Sequence, residues 1–123
     1  MISDFKKHEN NILQSQEFLQ IEKAIDYINR NYMVEISIED LLNVTNLSKS
    51  YFYKLFKKKT NMSPFRYRRF IQLQEAKRML MNTEMPIFEI SHSVGFEDQF
   101  YFSKIFKYRY GCSPLEIRNR KEH

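Results

Sequence analysis

Two similar stretches of sequence decide the fold, SKSYFYKLFKKKTNMSP at residues 48–64 and DQFYFSKIFKYRYGCSP at residues 98–114. The copies share a Tyr-Phe pair, a Lys, a Phe-Lys pair and a closing Ser-Pro pair. Aromatic residues can recur for packing alone. A lysine that recurs at Lys54 and Lys104, on the side away from the aromatic residues, indicates a surface function that is performed twice.

Composition favours helices. The chain has 123 residues, which predicts one domain, although an internal repeat allows two small subdomains. Only two Gly and three Pro are present, too few for the turns of a β-rich fold, while 42% hydrophobic residues suffice for a packed core. We therefore predict an all-α protein.

The sequence also indicates the cellular compartment of the protein. Cys112 is the single cysteine, which excludes an intramolecular disulfide. No stretch approaches the roughly 18 apolar residues of a membrane span, and the polar start MISDFKKHENN lacks the apolar run of a signal peptide. We predict a cytoplasmic protein with no membrane partner.

Positive charge is concentrated in the second part of the chain. Residues 1–50 hold five Lys or Arg against eight Asp or Glu, whereas residues 51–123 hold fifteen against seven. Between Lys54 and Arg78, nine basic residues accompany one acid, Glu75. This distribution indicates a polyanionic partner. A solvated basic face that serves solubility is the alternative.

Hydrophobic spacing predicts about seven helices that form two helix-turn-helix subdomains joined by a long spacer helix. Residues 1–16 are polar and are interpreted as an extension or interdomain linker, and residues 17–123 as the domain. The predicted parts are a helix from Glu17 to near Asn31, a first helix-turn-helix at about 37–61, a spacer helix at about 64–82, a second helix-turn-helix at about 86–111 and a last helix to about Arg120.

Capping residues define these boundaries. The predicted helix starts are Ser37, Ser48, Ser63-Pro64, Pro86, Asp98 and Ser113-Pro114. The predicted turns and helix ends that need a left-handed backbone are Asn46, Asn61, Gly95 and Gly111. Asn46 and Gly95 occupy matching turns, which we expect to be chemically equivalent.

Each repeated helix has one face that packs and one that is presented to a partner. The predicted packing residues are Phe52, Leu55, Phe56 and Lys59 in the first copy, Phe102, Ile105 and Phe106 in the second, and Leu115 and Ile117 of the last helix. A helix fits the DNA major groove, and successive major-groove faces recur about every 34 Å. A spacer helix of about 27 Å therefore suits a chain that contacts two turns of duplex.

The stretch ISHSVGFEDQFYFSKIFKYRYGCSP, residues 90–114, is similar to the second-half pattern of the AraC/XylS-type DNA-binding domain: Val-Gly-Phe, an acidic cap, a Tyr-Phe pair, Phe-Lys, a closing Gly and Ser-Pro. The resemblance extends from about Glu17 to Arg120. It implies a seven-helix fold and a bacterial transcription regulator, with activator as its expected role, that binds double-stranded promoter DNA. RNA polymerase is an implied partner, and dimerisation is expected through a domain not present here.

The resemblance also places the candidate DNA-binding residues on the two repeated helices. They are Lys49, Ser50, Tyr53, Lys54, Lys57 and Lys58 in the first, and Gln99, Phe100, Ser103, Lys104 and Lys107 in the second. Gln99 can pair with an adenine edge, Phe100 can contact a thymine methyl, and Lys54 and Lys104 can donate to guanine or phosphate. The remaining lysines are better placed for phosphates.

The chain departs from the family pattern at three positions. Leu42 stands where a small residue is frequent, Gln72 where the spacer helix usually carries Arg, and Ser91 where Ala is usual. We therefore expect looser or shifted helix packing in the first half.

Other functions receive less support from the sequence. A helical protein-interaction module that uses its basic face on an acidic protein remains an alternative. The chain has no nucleophile with a base and no phosphate-binding glycine loop, so no enzyme is predicted. His8, His92 and His123 lack ligand spacing. We expect no metal, no cofactor and no small-molecule ligand within this chain.

Overall fold

The computed structural model describes the backbone of residues 2–120 and the side chains of residues 16–120. These residues form seven α-helices and no strand, which confirms the all-α prediction. The helices are α1 (Ile2–Asn31), α2 (Ile38–Thr45), α3 (Lys49–Thr60), α4 (Pro64–Asn82), α5 (Ile87–Ser93), α6 (Gln99–Tyr110) and α7 (Pro114–Arg120).

The chain divides into two compact units. The first unit comprises Met1–Arg30 and Ile36–Tyr67, and the second comprises Asn31–Glu35 and Arg68–His123. The helix-turn-helix of the first unit is α2 and α3, and that of the second is α5 and α6. The spacer helix α4 contributes its first turn to the first unit and its remainder to the second.

The core of the first unit lies where α1 packs against its helix-turn-helix. Ile21, Ala24 and Ile28 of α1 are buried together with Phe52 and Phe56 of α3. The Phe52 and Phe56 rings contact each other with their centroids 5.6 Å apart. Removing these aromatic and aliphatic surfaces from water is the main stabilising contribution of the unit.

The core of the second unit repeats this arrangement with α4 in the place of α1. Leu73, Ala76 and Leu80 are buried with Phe102 and Phe106 of α6. The α4 residues stand 52 positions after Ile21, Ala24 and Ile28, and the same offset relates Phe18 to Phe70 and Gln20 to Gln72. Each unit therefore contains one helix followed by a helix-turn-helix, and the repeat is longer than the two stretches that reveal it in the sequence.

Helix α1 begins at Ile2, fifteen residues before the predicted start at Glu17. The first Pro of the chain is Pro64 and the first Gly is Gly95, so residues 1–16 contain no strong helix breaker. Their role as an extension or linker stays a prediction, as does the domain assignment to residues 17–123, of which residues 121–123 lie outside the described residues.

The predicted caps are mostly confirmed. Ser37 accepts a hydrogen bond from the Asp40 N–H at 3.1 Å, and Asp40 accepts one from the Ser37 N–H at 3.0 Å, which is a complete capping box. Asp98 accepts from the Phe100 N–H at 2.9 Å. Ser48 occupies the cap position of α3, but its side chain makes no cap hydrogen bond.

For two residues, Lys59 and Leu115, the predicted packing role is wrong. Lys59 is exposed, and its ammonium pairs with the Glu22 carboxylate at 3.4 Å. Leu115 is 56% exposed, whereas Ile117 is 9% exposed. Residues two apart in a helix point about 200° away from each other, so Leu115 and Ile117 cannot both face one core.

The two matching turns are not equivalent, contrary to the prediction. Asn46 has φ 57° in the ordinary left-handed region, and its N–H donates to the Leu42 carbonyl at 2.9 Å. Gly95 has φ 104°. Its N–H donates to the His92 carbonyl at 3.0 Å and the following Phe96 N–H donates to the Ser91 carbonyl at 2.9 Å, the pattern of a Schellman motif.

Candidate nucleic-acid interface

The candidate interface comprises the outer faces of α3 and α6, each the second helix of a helix-turn-helix. Both helices have twelve residues, and both end at a residue in the left-handed conformation, Asn61 and Gly111. Fully buried phenylalanines anchor the opposite face of each helix. The side chains on the outer face are therefore presented from a fixed support.

On α3, five of the six candidate residues are exposed: Lys49, Ser50, Lys54, Lys57 and Lys58. Tyr53 is half-buried, and its ring makes an edge contact with the Phe52 ring at a centroid distance of 5.8 Å. Part of Tyr53 thus belongs to the packing of the first unit. Its remaining surface lies on the same face as Lys54 and Lys57.

On α6, Phe100 is 84% exposed. Lys104 and Lys107 are also exposed, and Gln99 and Ser103 are half-buried. A phenyl ring that is so fully in water adds almost nothing to the core, and its surface is accessible to a partner. None of the candidate residues on either helix is buried.

The described basic residues elsewhere in the second unit are engaged within the protein. The Arg69 guanidinium stacks over the Phe96 ring at 4.4 Å and donates to the Gln72 Oε1 at 3.0 Å. Arg118 donates to the Leu80 and Thr83 carbonyls. Further engaged side chains are Arg68 on the Tyr32 carbonyl, Lys77 over Tyr110, Arg78 on Glu75 and Arg109 over Phe70.

The pKa of Arg68 shows the same structural role. Burial lowers the pKa of its guanidinium, and the positive charge of Arg69 lowers it further, while Glu35 acts in the opposite direction. A guanidinium that loses solvent in this way is held by the Tyr32 carbonyl at 3.1 Å. It is a poor candidate for a phosphate contact.

The candidate lysines differ from these engaged basic residues. In the part of the chain that the structure describes, no acidic side chain forms an ion pair with a candidate lysine of α3 or α6. These lysines are Lys49, Lys54, Lys57, Lys58, Lys104 and Lys107, and the Lys58 ammonium lies 5.7 Å from the centre of the Phe18 ring. Among the basic residues that the structure describes, the candidate lysines thus remain without an ion-pair partner. They form one cationic face on α3 and one on α6.

Two aromatic residues of α6 were missed by the sequence analysis. Tyr108 is 93% exposed and Tyr101 is 49% exposed. Together with Lys104, Ile105 and Lys107 they line an apolar groove of about 410 Å³. The helical spacing of Phe100, Lys104 and Tyr108 was a signal that could have identified Tyr108.

The turn that precedes α6 is held by Gln72 of α4. This side chain is completely buried, and its Nε2 donates to the Val94 carbonyl at 2.9 Å. Its Oε1 accepts from Arg69. Gln72 thus positions the backbone from which α6 projects.

The fold and these two faces define a double helix-turn-helix protein. A family model described as a helix-turn-helix domain matches residues 41–120. Among curated proteins, the lactose operon transcription activator of Staphylococcus xylosus is 38% identical over 99 residues, which are 80% of this chain and 36% of that protein. The chain thus spans about a third of the length of this relative.

Solved structures share the fold. A probable AraC family transcriptional regulator from Rhodopseudomonas palustris superposes with a TM-score of 0.73 at 26% identity, covering 83% of this chain and 96% of that chain. The DNA-binding domain of AdpA, determined in complex with a target DNA, gives a TM-score of 0.74 at 18% identity, covering 80% and 89%. The chain belongs to the AraC/XylS-type family of helix-turn-helix regulators.

Within the described residues, no helix combines the length and the apolar character that crossing a membrane requires. The same residues contain no cluster of three or more His, Cys, Asp or Glu placed to hold a metal ion. The side chain of His8 and all of His123 lie outside the described residues.

Proposed function

We propose that this domain binds double-stranded promoter DNA in a sequence-specific manner, as the DNA-binding part of a bacterial transcription activator that acts in the cytoplasm. The observation that supports the proposal best is the pair of outer faces on α3 and α6, where unpaired lysines surround polar and aromatic side chains. Contact with RNA polymerase, and dimerisation through a domain outside these 123 residues, belong to the same proposal.

The chemistry of the two faces fits a duplex. The ammonium groups of the lysines neutralise phosphates and release their counterions, and this release supplies binding affinity. The Gln99 amide can both donate to and accept from an adenine edge, and the Phe100 ring matches a thymine methyl. The relative from Staphylococcus xylosus is a lactose operon transcription activator, which supports the same function for this chain.

The test begins with selection of bound sequences from a pool of random duplexes. Lys104→Ala is expected to weaken binding to the selected duplex by about 1–3 kcal/mol. It should also reduce the slope of log affinity against log salt by about 0.9. Affinity would be measured by fluorescence anisotropy at several salt concentrations.

Lys77→Ala is the matched control, because the Lys77 ammonium lies over the Tyr110 ring at 4.8 Å on the packed side of α4. It removes the same charge and should leave both the affinity and the salt slope nearly unchanged. If Lys104→Ala and Lys77→Ala lost the same affinity, binding would depend only on the overall charge of the protein. Equal affinity of the wild-type chain for all duplexes would contradict sequence-specific binding.

A further inference from the structure

A second face of α6 lies beside the one that presents Phe100. Tyr101, Ile105 and Tyr108 form the apolar surface of the groove, and Lys104 and Lys107 are the charged residues that line it. Among the residues that the structure describes, no acidic side chain lines this groove. Its occupant must therefore offer apolar surface and negative charge within a short distance of each other.

The equivalent face of α3 makes contacts with α1, although Lys58 on this face remains exposed. The Tyr51 hydroxyl donates to the Glu17 carboxylate, Leu55 is only 6% exposed, and Lys58 lies over the Phe18 ring. The α3 residues Tyr51, Leu55 and Lys58 lie fifty positions before Tyr101, Ile105 and Tyr108. In the first unit, α1 thus supplies the contacts to this face of α3.

In the second unit the corresponding face is open. Arg69 stands where the repeat has Glu17, and its guanidinium lies over the Tyr101 ring at 5.7 Å. Among the described residues, none accepts a hydrogen bond from the Tyr101 hydroxyl, and the Tyr108 ring is 93% exposed. Two phenol hydroxyls and two amines are therefore available to an acceptor outside the unit.

We propose that this groove holds the sugar–phosphate backbone of one DNA strand. The apolar faces of deoxyribose would lie against the two rings and Ile105, and phosphate oxygens would accept from Lys104, Lys107 and the phenol hydroxyls. The inference rests on the proposed DNA binding and adds a role for Tyr101 and Tyr108. Helix α6 then contacts DNA with two faces, one for base edges and one for backbone.

The position of Tyr108 along the helix supports this occupant. Recognition helices contact base edges with their N-terminal residues. Gln99 and Phe100 open α6, whereas Tyr108 lies in its last turn. Lys104 and Lys107 belong both to the face of Phe100 and to the groove, so the two faces are continuous. An acidic helix of a partner protein would also complement the charge, but it would have to share these lysines with the duplex.

The test compares Tyr108→Ala with Lys107→Ala on the duplex that selection yields. Tyr108→Ala should weaken binding about tenfold with an unchanged salt slope, because it removes apolar contact and a neutral donor. Lys107→Ala should reduce the salt slope by about 0.9. Tyr108→Phe, which retains the ring, should fall between Tyr108→Ala and the wild type.

Leu115→Ala is the control, since Leu115 is 56% exposed on α7 and lies outside the groove. It should bind like the wild type. The loss caused by Tyr108→Ala should be the same on a duplex with a substituted base in the selected site, because a backbone contact carries no direct sequence information. Circular dichroism melts would show that each variant remains folded.

The two proposals fail in different ways. A wild-type chain without preference among duplexes would overturn sequence-specific binding itself. A wild-type chain that selects a duplex, while Tyr108→Ala binds it with unaltered affinity, would overturn the backbone groove alone. A Tyr108→Ala loss that vanishes on one substituted base pair would also overturn it, because Tyr108 would then read a base.

Discussion

At the scale of single residues, Gly95 shows what the second helix-turn-helix requires. A Cβ atom built there would lie 2.8 Å from the Gln72 Nε2 and 2.8 Å from the Met33 carbonyl oxygen. Its φ of +104° is also one that side-chain-bearing residues rarely adopt. Gly111 has a φ of +76°, but a Cβ there would meet nothing within 4 Å.

This difference gives a prediction about two asparagine substitutions. Gly111→Asn should lower the free energy of unfolding by about 1 kcal/mol or less, because Asn61 already closes the matching helix at φ 61°. Gly95→Asn should lower it by at least about 2–3 kcal/mol, because the backbone oxygen of Met33 cannot move aside as a flexible side chain would. Urea denaturation followed by circular dichroism would measure both.

The contradicting result is a Gly95→Asn protein as stable as Gly111→Asn. Such an outcome would mean that the turn before α6 can adopt the geometry seen at Asn46. It would restore the equivalence of the two turns that the sequence suggested.

Exposure of the candidate residues was largely predictable from the sequence, because helical periodicity separates Lys54 and Lys104 from the buried phenylalanines. Tyr108 was not among the predicted residues, although it lies at helical spacing from Phe100 and Lys104. Gln72 was recognised only as a departure from the family. Its hydrogen bond to Val94 joins residues 22 positions apart, and such pairings follow from tertiary structure rather than from local pattern.

At the scale of elements, capping chemistry predicted helix starts well because it is local. The hydroxyls of Ser63 and Ser113 accept from the N–H groups of Arg66 and Glu116, three residues on, at 3.2 and 3.1 Å. Proline at the next position cannot offer an N–H and costs nothing there. Ser48 fits the same pattern in sequence, yet its hydroxyl makes no cap bond.

Ser37 and Ser48 therefore form a matched pair for a test. Ser37→Ala removes a capping-box partner and should lower the free energy of unfolding by about 1 kcal/mol. Ser48→Ala removes no cap hydrogen bond and should change it by about 0.5 kcal/mol or less. Urea denaturation midpoints of the two variants provide the comparison. A larger effect for Ser48→Ala would show that its hydroxyl caps α3 in solution.

Element boundaries were less predictable where no breaker marks them. Helix α1 continues from Glu17 back to Ile2. The likeness of α1 to α4 was also missed, because only the helix-turn-helix stretches were compared. The shared pattern Phe-x-Gln-x-x-x-Ala at Phe18–Ala24 and Phe70–Ala76 is sparse, and its importance becomes clear only from the structure, in which both alanines are buried in the cores.

At the scale of the whole molecule, two units of the same design present different side chains. Lys49, Ser50 and Tyr53 of α3 correspond to Gln99, Phe100 and Ser103 of α6, while the buried Phe52 and Phe56 recur as Phe102 and Phe106. Conserving the support while changing the presented residues is expected when two recognition helices read unlike sequences.

An exchange of the presented residues tests this arrangement. In a variant that carries Gln99→Lys, Phe100→Ser and Ser103→Tyr, α6 presents the side chains of α3 on its own support. Selection from random duplexes should give two unlike half-sites for the wild-type chain and two similar ones for the variant, because the contacts that distinguish the half-sites have been removed. Two identical half-sites for the wild-type chain, or an unaltered selection by the variant, would show that these three positions do not read bases. Specificity would then have to come from the shape of the DNA, to which the lysines common to both helices would respond equally.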